Sequence, residues 1–316
     1  MAEELTTALL PVFVTLAVGY AAGWRGLVDN QDVESLNRLV MTFAVPVALF
    51  ASISSTQPAE IVSHLGFMAV FAISMALVYA GTWWLERRVF RRDQGSAAVQ
   101  ALTVAFPNLA AVGLPLSAAV VGPPGAIAVA IGLAIGAVTV TPLTLALLDA
   151  EARDADAPGS ALAGFGAAWV ASLRKPVFWA PMLAFVLVLS GLRVPREIES
   201  SLSPLSAAAA GVALFLTGLI LSAQRPSLDA EVGLGVVAKN AVMPLMVWGW
   251  CVLLGLSELV TTEAVLLAAA PSGFFGVVFA ASHGIRPRVS GSTILVSTLA
   301  AVGSLAVVVA LLPQHV

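Results

Sequence analysis

Ten stretches of apolar residues run through this sequence, at 5–24, 39–55, 62–85, 97–121, 125–148, 176–192, 204–223, 232–255, 264–282 and 289–312. Leu, Val, Ala and Gly occupy every face of each stretch, so the 3.6-residue amphipathic rhythm is weak. That is the pattern of helices held inside a bundle or in lipid. A bilayer core takes about 20 apolar residues as helix, so the pattern predicts ten transmembrane helices. Barrel strands would alternate over roughly ten residues and break sooner. Asp, Glu and Arg fall only at the edges of the stretches, and Lys239 is the one basic residue within them. The first stretch is preceded by Glu3 and Glu4, without a basic n-region, and is too long for a typical signal-peptide core, so it reads as a span.

Composition agrees with this picture. Hydrophobic residues make up 59% of the 316 and charged residues 10%, against about 25% charged in soluble proteins. Mean hydropathy is +0.97. A soluble globule could not cover its surface with so few charges, so the chain is read as all-α and integral to the membrane, with the lipid bilayer as its surroundings. A net charge of −3 offers no basic footprint for nucleic acid. One cysteine, Cys251, permits no intrachain disulfide, and His64, His283 and His315 are scattered, so no metal or cofactor is expected. No nucleophile–base set points to an enzyme. No G-x-x-x-x-G-K-[ST] loop supplies an ATP motor.

Charge in the loops sets the orientation. Twelve of the fifteen basic residues fall in loops on one side, among them Arg87, Arg88, Arg91 and Arg92, and only Arg193 and Arg196 fall on the other. The basic side is expected to be cytoplasmic, which puts both termini outside the cytoplasm of a cell (inner) membrane. Trp83, Trp84, Trp169 and Trp179 sit near span ends, as interfacial anchors do.

The longest polar stretch, 149–175, separates residues 1–148 from residues 176–316, with five spans in each. It reads as a cytoplasmic linker. An odd number of spans per half makes the halves opposite in orientation, the arrangement of an inverted-repeat transporter. Such a repeat predicts matched interruptions. The fourth span contains Phe106-Pro107-Asn108 and then Gly113-Leu114-Pro115. The ninth contains Pro271-Ser272-Gly273, with Pro271 lying 164 residues after Pro107. Proline removes a helix hydrogen bond and clashes with the preceding turn. Asn108 and Ser272 are both good N-cap residues, so a half-helix is expected to restart at each. Isolated prolines usually only kink membrane helices. Two breaks at equivalent positions instead mark a binding site at the membrane midplane.

These segments carry a family resemblance. Leu36-Asn37-Arg38-Leu39-Val40, with Phe43-Ala44-Val45-Pro46 and Phe50, resembles the second span of the auxin efflux carrier family. Pro107-Asn108 with Gly113-Leu114-Pro115-Leu116 is similar to its fourth span. Lys239-Asn240 with Pro244 is similar to its eighth, and Pro271-Ser272-Gly273 through Val278-Phe279-Ala280 to its ninth. The family includes plant auxin exporters and bacterial malate or malonate permeases. The resemblance implies ten transmembrane helices in two inverted five-helix repeats, the bile acid/auxin carrier-like fold, with the fourth and ninth helices broken and crossing. It implies a scaffold of spans 1, 2, 6 and 7, a moving transport domain (an elevator), and a homodimer. The implied substrate-binding residues are Asn108, Pro107 and Gly113, then Pro271, Ser272 and Gly273, with Val45 and Pro46 from the second span. Asn108 takes the role of the family's carboxylate-binding asparagine. The third span, 62–85, contains no acid, so the acid–base pair of some plant members does not carry over, and the long plant central loop is absent.

The expected function is secondary transport of a small organic anion, a mono- or dicarboxylate such as malate, malonate or an auxin-like acid. The expected site combines half-helix ends and Asn108 without a fixed buried charge. Lys239 is expected to snorkel toward the headgroups or pack, with anion attraction as the other reading. His64 and His283 are expected to be interfacial. Gly19-x-x-x-Gly23 and Gly132-x-x-x-Gly136 fit close helix packing. A cation-coupled sodium or proton symporter or antiporter of a related inverted-repeat fold is the alternative. The absence of a carboxylate within any span argues against it. A non-transporting sensor or assembly factor is the other rival, disfavoured because broken helices are costly unless they line a site.

Overall fold

The computed structural model describes residues 2–30, 33–55, 64–113, 116–117, 120–121, 123–154, 174, 176–223 and 227–311. The linker residues 155–173 with Trp169, and also Leu114, Pro115, Lys175, Arg225 and His315, lie outside the described residues. Within them the chain is helical, and its one β feature is an isolated antiparallel bridge.

The elements in chain order are α1 (Ala2–Trp24), α2 (Glu34–Leu39), a π-turn (Val40–Ala44), α3 (Val45–Ser54), α4 (Leu65–Arg88), α5 (Gln94–Ala105), a π-turn (Leu109–Gly113), α6 (Pro123–Val138) and α7 (Val140–Asp154). There follow α8 (Pro176–Leu189), α9 (Arg196–Ser222), α10 (Ala230–Val237), a π-turn (Ala238–Val242), α11 (Met243–Leu253), α12 (Glu258–Ala269), α13 (Phe275–Ser282) and α14 (Arg288–Leu311). The described residues of each hydrophobic stretch fall on one to three of these elements. Among the described residues, six helical segments are long and apolar enough to cross a membrane: Glu34–Ala51, Leu65–Arg88, Ile127–Glu151, Arg196–Ser222, Ala230–Leu253 and Arg288–Leu311. The chain is therefore an all-helical, multi-pass membrane protein.

Two groups of helices pack around separate seams. In one, α1 lies along α9, and α3 packs on α8 and α9. Glycine makes the first contact possible. A Cβ at Gly19 would fall 2.1 Å from the Phe215 carbonyl oxygen, and one at Gly218 2.1 Å from that of Leu16. The helix backbones meet directly, the use of small residues that membrane helices favour. In the other group, α5 packs against α4, α7 and α13, while α12 packs against α4, α11 and α14.

The helices run past the apolar stretches, and this corrects the acid-free reading of the spans. Glu86 is the third residue from the end of α4, Glu231 is the second of α10, and Glu263 the sixth of α12, and all three are buried. Glu231 has a cationic partner in Arg92, and Glu263 has His64 beside it. Arg92 donates two hydrogen bonds to Glu231, at 2.8 and 2.6 Å. His64 Nε2 lies 3.4 Å from Glu263 Oε2. His64, part-buried just before α4, therefore faces a buried carboxylate. His283 is also engaged, through Asp149 at 3.0 Å and the Phe279 carbonyl at 2.8 Å.

Candidate functional site

The first half of each broken helix is prepared by local sequence. Asp93 caps α5 by accepting from the Ser96 amide, and Ser257 caps α12 by accepting from Val260. Both helices then run for 12 residues. Both stop one residue short of the position before proline, at Ala105 and at Ala269, because a residue before proline is pushed out of the helical region. Their starts, ends and prolines are all offset by the same 164 residues.

The two interrupted segments meet. Pro107 and Ser272 form the antiparallel bridge. The Asn108 amide donates to the Pro271 carbonyl at 2.8 Å, and the Gly273 amide to the Phe106 carbonyl at 2.9 Å. Backbone groups freed by the breaks therefore satisfy one another, which a dry interior demands. Gly273 is required by the approach: a Cβ there would lie 2.3 Å from the Phe106 oxygen. The rings of Phe106 and Phe275 stack beside the bridge, with centroids 4.8 Å apart.

Of the residues that the sequence marked, the fold brings Pro107, Asn108, Pro271, Ser272 and Gly273 into one cluster, all buried. Gly113 is one turn further on, its amide donating to the Asn108 carbonyl at 3.0 Å. Val45 and Pro46 are buried at the start of α3, outside the bridge. Asn108 stands where a new helical turn begins, because its carbonyl accepts from Val112 and Gly113 in the π-turn. Ser272 does not cap a helix as the sequence suggested. α13 starts three residues later with Phe274 in the cap position and no side-chain cap. The reason is the bridge: it holds Ser272 extended, and the Ser272 amide donates to Ser297 Oγ at 2.9 Å. The Ser272 hydroxyl is buried and makes no hydrogen bond.

Sequence reasoning missed the third component, contributed by the π-turn before α11 and by α14. Proline explains the turn. Pro244 has no amide for the Asn240 carbonyl, and the ladder widens just upstream, the Met243 amide reaching back to Ala238. The π-turn before Pro46 is built alike, with the Val45 amide on Val40. Such bulges often mark functional positions. Here the turn projects Lys239 and Asn240 inward. Asn240 Oδ1 accepts from Ser297 Oγ at 2.7 Å, and its amide nitrogen donates to the Ser297 carbonyl at 3.0 Å. Lys239 is fully buried, and its Nζ donates to the Ala268 carbonyl and meets Met243 Sδ at 3.3 Å. That burial excludes snorkelling and leaves the packing and anion-attraction readings of Lys239. The sequence signals were a lone lysine within a span and the likeness of Lys239-Asn240 with Pro244 to the family's eighth span; nothing singled out Ser297.

Comparison with known proteins follows the same lines. The family described as membrane transport protein matches residues 4–309. The "Uncharacterized transporter YfdV" of Escherichia coli (strain K12) is 28% identical over 298 residues, covering 92% of each chain. The "Putative malonate transporter" of Rhizobium meliloti (strain 1021) is 25% identical, over 95% of this chain and 93% of that one. The "Probable auxin efflux carrier component 5a" of Oryza sativa subsp. japonica is 23% identical, over 94% and 93%. A helical membrane bundle, two helices broken at matched prolines and a match along nearly the whole chain lead to one conclusion: the chain belongs to the membrane transport protein family, that of the auxin efflux carriers, and is a membrane transporter.

Proposed function

We propose that the protein is a secondary carrier of a small organic anion, a mono- or dicarboxylate of the malonate, malate or auxin-like kind, working by alternating access. The observation that carries this reading is the bridge between Pro107 and Ser272, where two capped 12-residue half-helices end in mid-chain and their freed backbones pair. Regular helices would satisfy those groups at less cost, so the break has a use, and transporters use such breaks to present helix ends to substrate. Ten helices in two inverted five-helix repeats, 1–148 and 176–316, account for the constant 164-residue offset. Asn108, at the start of a new turn, offers an amide for one carboxylate oxygen. The relative described as a malonate transporter supports the substrate class.

Substrate access needs a movement, because Asn108 and Ser272 are 2% and 0% exposed. The two helix groups suggest its form: α1, α3, α8 and α9 act as scaffold, and the crossing helices shift against them. A scaffold dimer and a cytoplasmic basic side complete the proposal.

The test is uptake of labelled malonate, malate and indole-3-acetate into proteoliposomes, with proton and sodium gradients imposed separately. Asn108→Ala is expected to weaken binding by about 1–3 kcal/mol, the range for a hydrogen bond to a charged group and for a buried partner left unmade, while the protein still folds. Uptake of organic cations in place of acids, or an Asn108→Ala protein that transports like the parent, overturns the reading.

A further inference from the structure

We infer that Lys239 is a built-in counter-charge for the transported anion, so that the carrier is positive when empty and neutral when it holds a monocarboxylate. The inference rests on the anion-carrier reading above and adds the charge requirement of its site.

The break in the ninth span frees carbonyls at the end of α12. Pro271 has no amide for the Leu267 carbonyl, which is reached instead by Ala270 at 3.3 Å. The Ser272 amide, the normal partner of the Ala268 carbonyl, is diverted to Ser297 Oγ. Lys239 Nζ takes up the Ala268 carbonyl. The next residue, Asn240, holds Ser297, and through it Ser272. One π-turn thus fixes both sides of the break, and the carbonyl held by its lysine lies three residues before Pro271.

A structural role alone would be to cap the negative end of α12. A neutral amide side chain could donate the same hydrogen bond without bringing a charge into the interior. The ammonium is the one fully buried cation among the described residues. Its contacts are one carbonyl and one thioether sulfur, and none of the ion pairs of the described residues includes it. Nearby on α12, Glu263 faces His64 on the side of α4. A buried charge left without a counter-ion is expensive. In a protein whose cargo is an anion, the cargo supplies the missing charge, and does so only when bound. The same lysine occupies the end of α12, where a broken helix would otherwise present carbonyls to a coupling cation.

The charge balance follows. The region around the crossing carries one positive charge without substrate, none with a monocarboxylate, and one negative charge with a dicarboxylate. Movement of the monocarboxylate-loaded form then does no work against the membrane potential.

The experiment uses the purified full-length chain, with Lys239→Gln and Lys239→Arg. Binding is measured for malonate, malate and indole-3-acetate, and for the uncharged amide of whichever acid the parent binds best. Lys239→Gln retains a donor for the Ala268 carbonyl. It is expected to lose affinity for the acid by roughly tenfold to a hundredfold, as for a close charge pair at a protein dielectric, and to bind the amide as the parent does. Lys239→Arg is expected to keep most of the affinity for the acid. A merely structural lysine would weaken acid and amide alike, and that result overturns the inference, as does unchanged acid binding in Lys239→Gln. A second measurement needs no variant. Exchange of labelled for unlabelled indole-3-acetate by the parent, if that acid is bound, should keep its rate when a potassium-diffusion potential of either sign is imposed. A rate that follows the potential as a net negative complex would overturns the inference. Binding of none of the three acids by the parent is a different result: it rejects the anion-carrier reading, and the counter-charge with it.

Discussion

Gly273 gives a test of the crossing that does not depend on knowing the substrate. In Gly273→Ala the new Cβ would lie 2.3 Å from the Phe106 carbonyl oxygen, 3.3 Å from its carbon and 3.4 Å from the Pro107 oxygen. The obstacle is backbone, so no rotamer change relieves it. The two segments must separate by roughly an ångström to restore van der Waals contact. That stretches the Gly273–Phe106 hydrogen bond, now 2.9 Å, and its neighbour from Asn108 to Pro271, now 2.8 Å. Each buried backbone group left unmade costs about 1–3 kcal/mol, so partial loss of both bonds predicts destabilisation of about 2–5 kcal/mol. Gly249→Ala is the control. A Cβ there meets nothing within 4 Å, and the residue lies inside α11, so helix propensity predicts a gain of up to about 1 kcal/mol. The assay is thermal unfolding of both purified variants, followed by tryptophan fluorescence and by loss of the monodisperse size-exclusion peak. Gly273→Ala should unfold several degrees below the parent, and Gly249→Ala at or slightly above it. Equal midpoints for Gly273→Ala and the parent would refute the close antiparallel approach.

Three further outcomes are expected. Pro271→Ala should let α12 run on through the break, reducing transport more than binding when both are measured on the same preparation; a proportionate fall in both would argue against it. His64→Ala should destabilise by about 3 kcal/mol, because it strands the Glu263 carboxylate in the interior, while Glu263→Gln should cost less, because it removes the buried charge together with its partner's attraction; similar unfolding midpoints for the two variants would show that the pair is not ionic. With Cys251 replaced, cysteines introduced at 86–96 should be shielded from impermeant thiol reagents in intact cells, and those at 196–201 should react; the reverse labelling would invert the orientation.

The sequence alone determined the class of the protein, because the signals concerned are local. Runs of about 20 apolar residues need no partner to be read, and the proline that stops α5 or α12 acts on its own turn. The matched positions of Pro107 and Pro271 were visible for the same reason, as was Asn108 at the start of the next turn. Tertiary structure decided the rest. Ser272 looks like a helix cap in isolation, yet the bridge from Pro107 holds it extended, and helix α13 begins at Phe275. Glu263 and His64 lie 199 positions apart, and each reads as a boundary residue until the packing of α12 on α4 makes them a pair. Lys239 reads as a snorkelling lysine because a long side chain in a span normally escapes to water. What redirects it is the carbonyl of Ala268, freed because the Ser272 amide turns to Ser297, and brought to its side only by the fold.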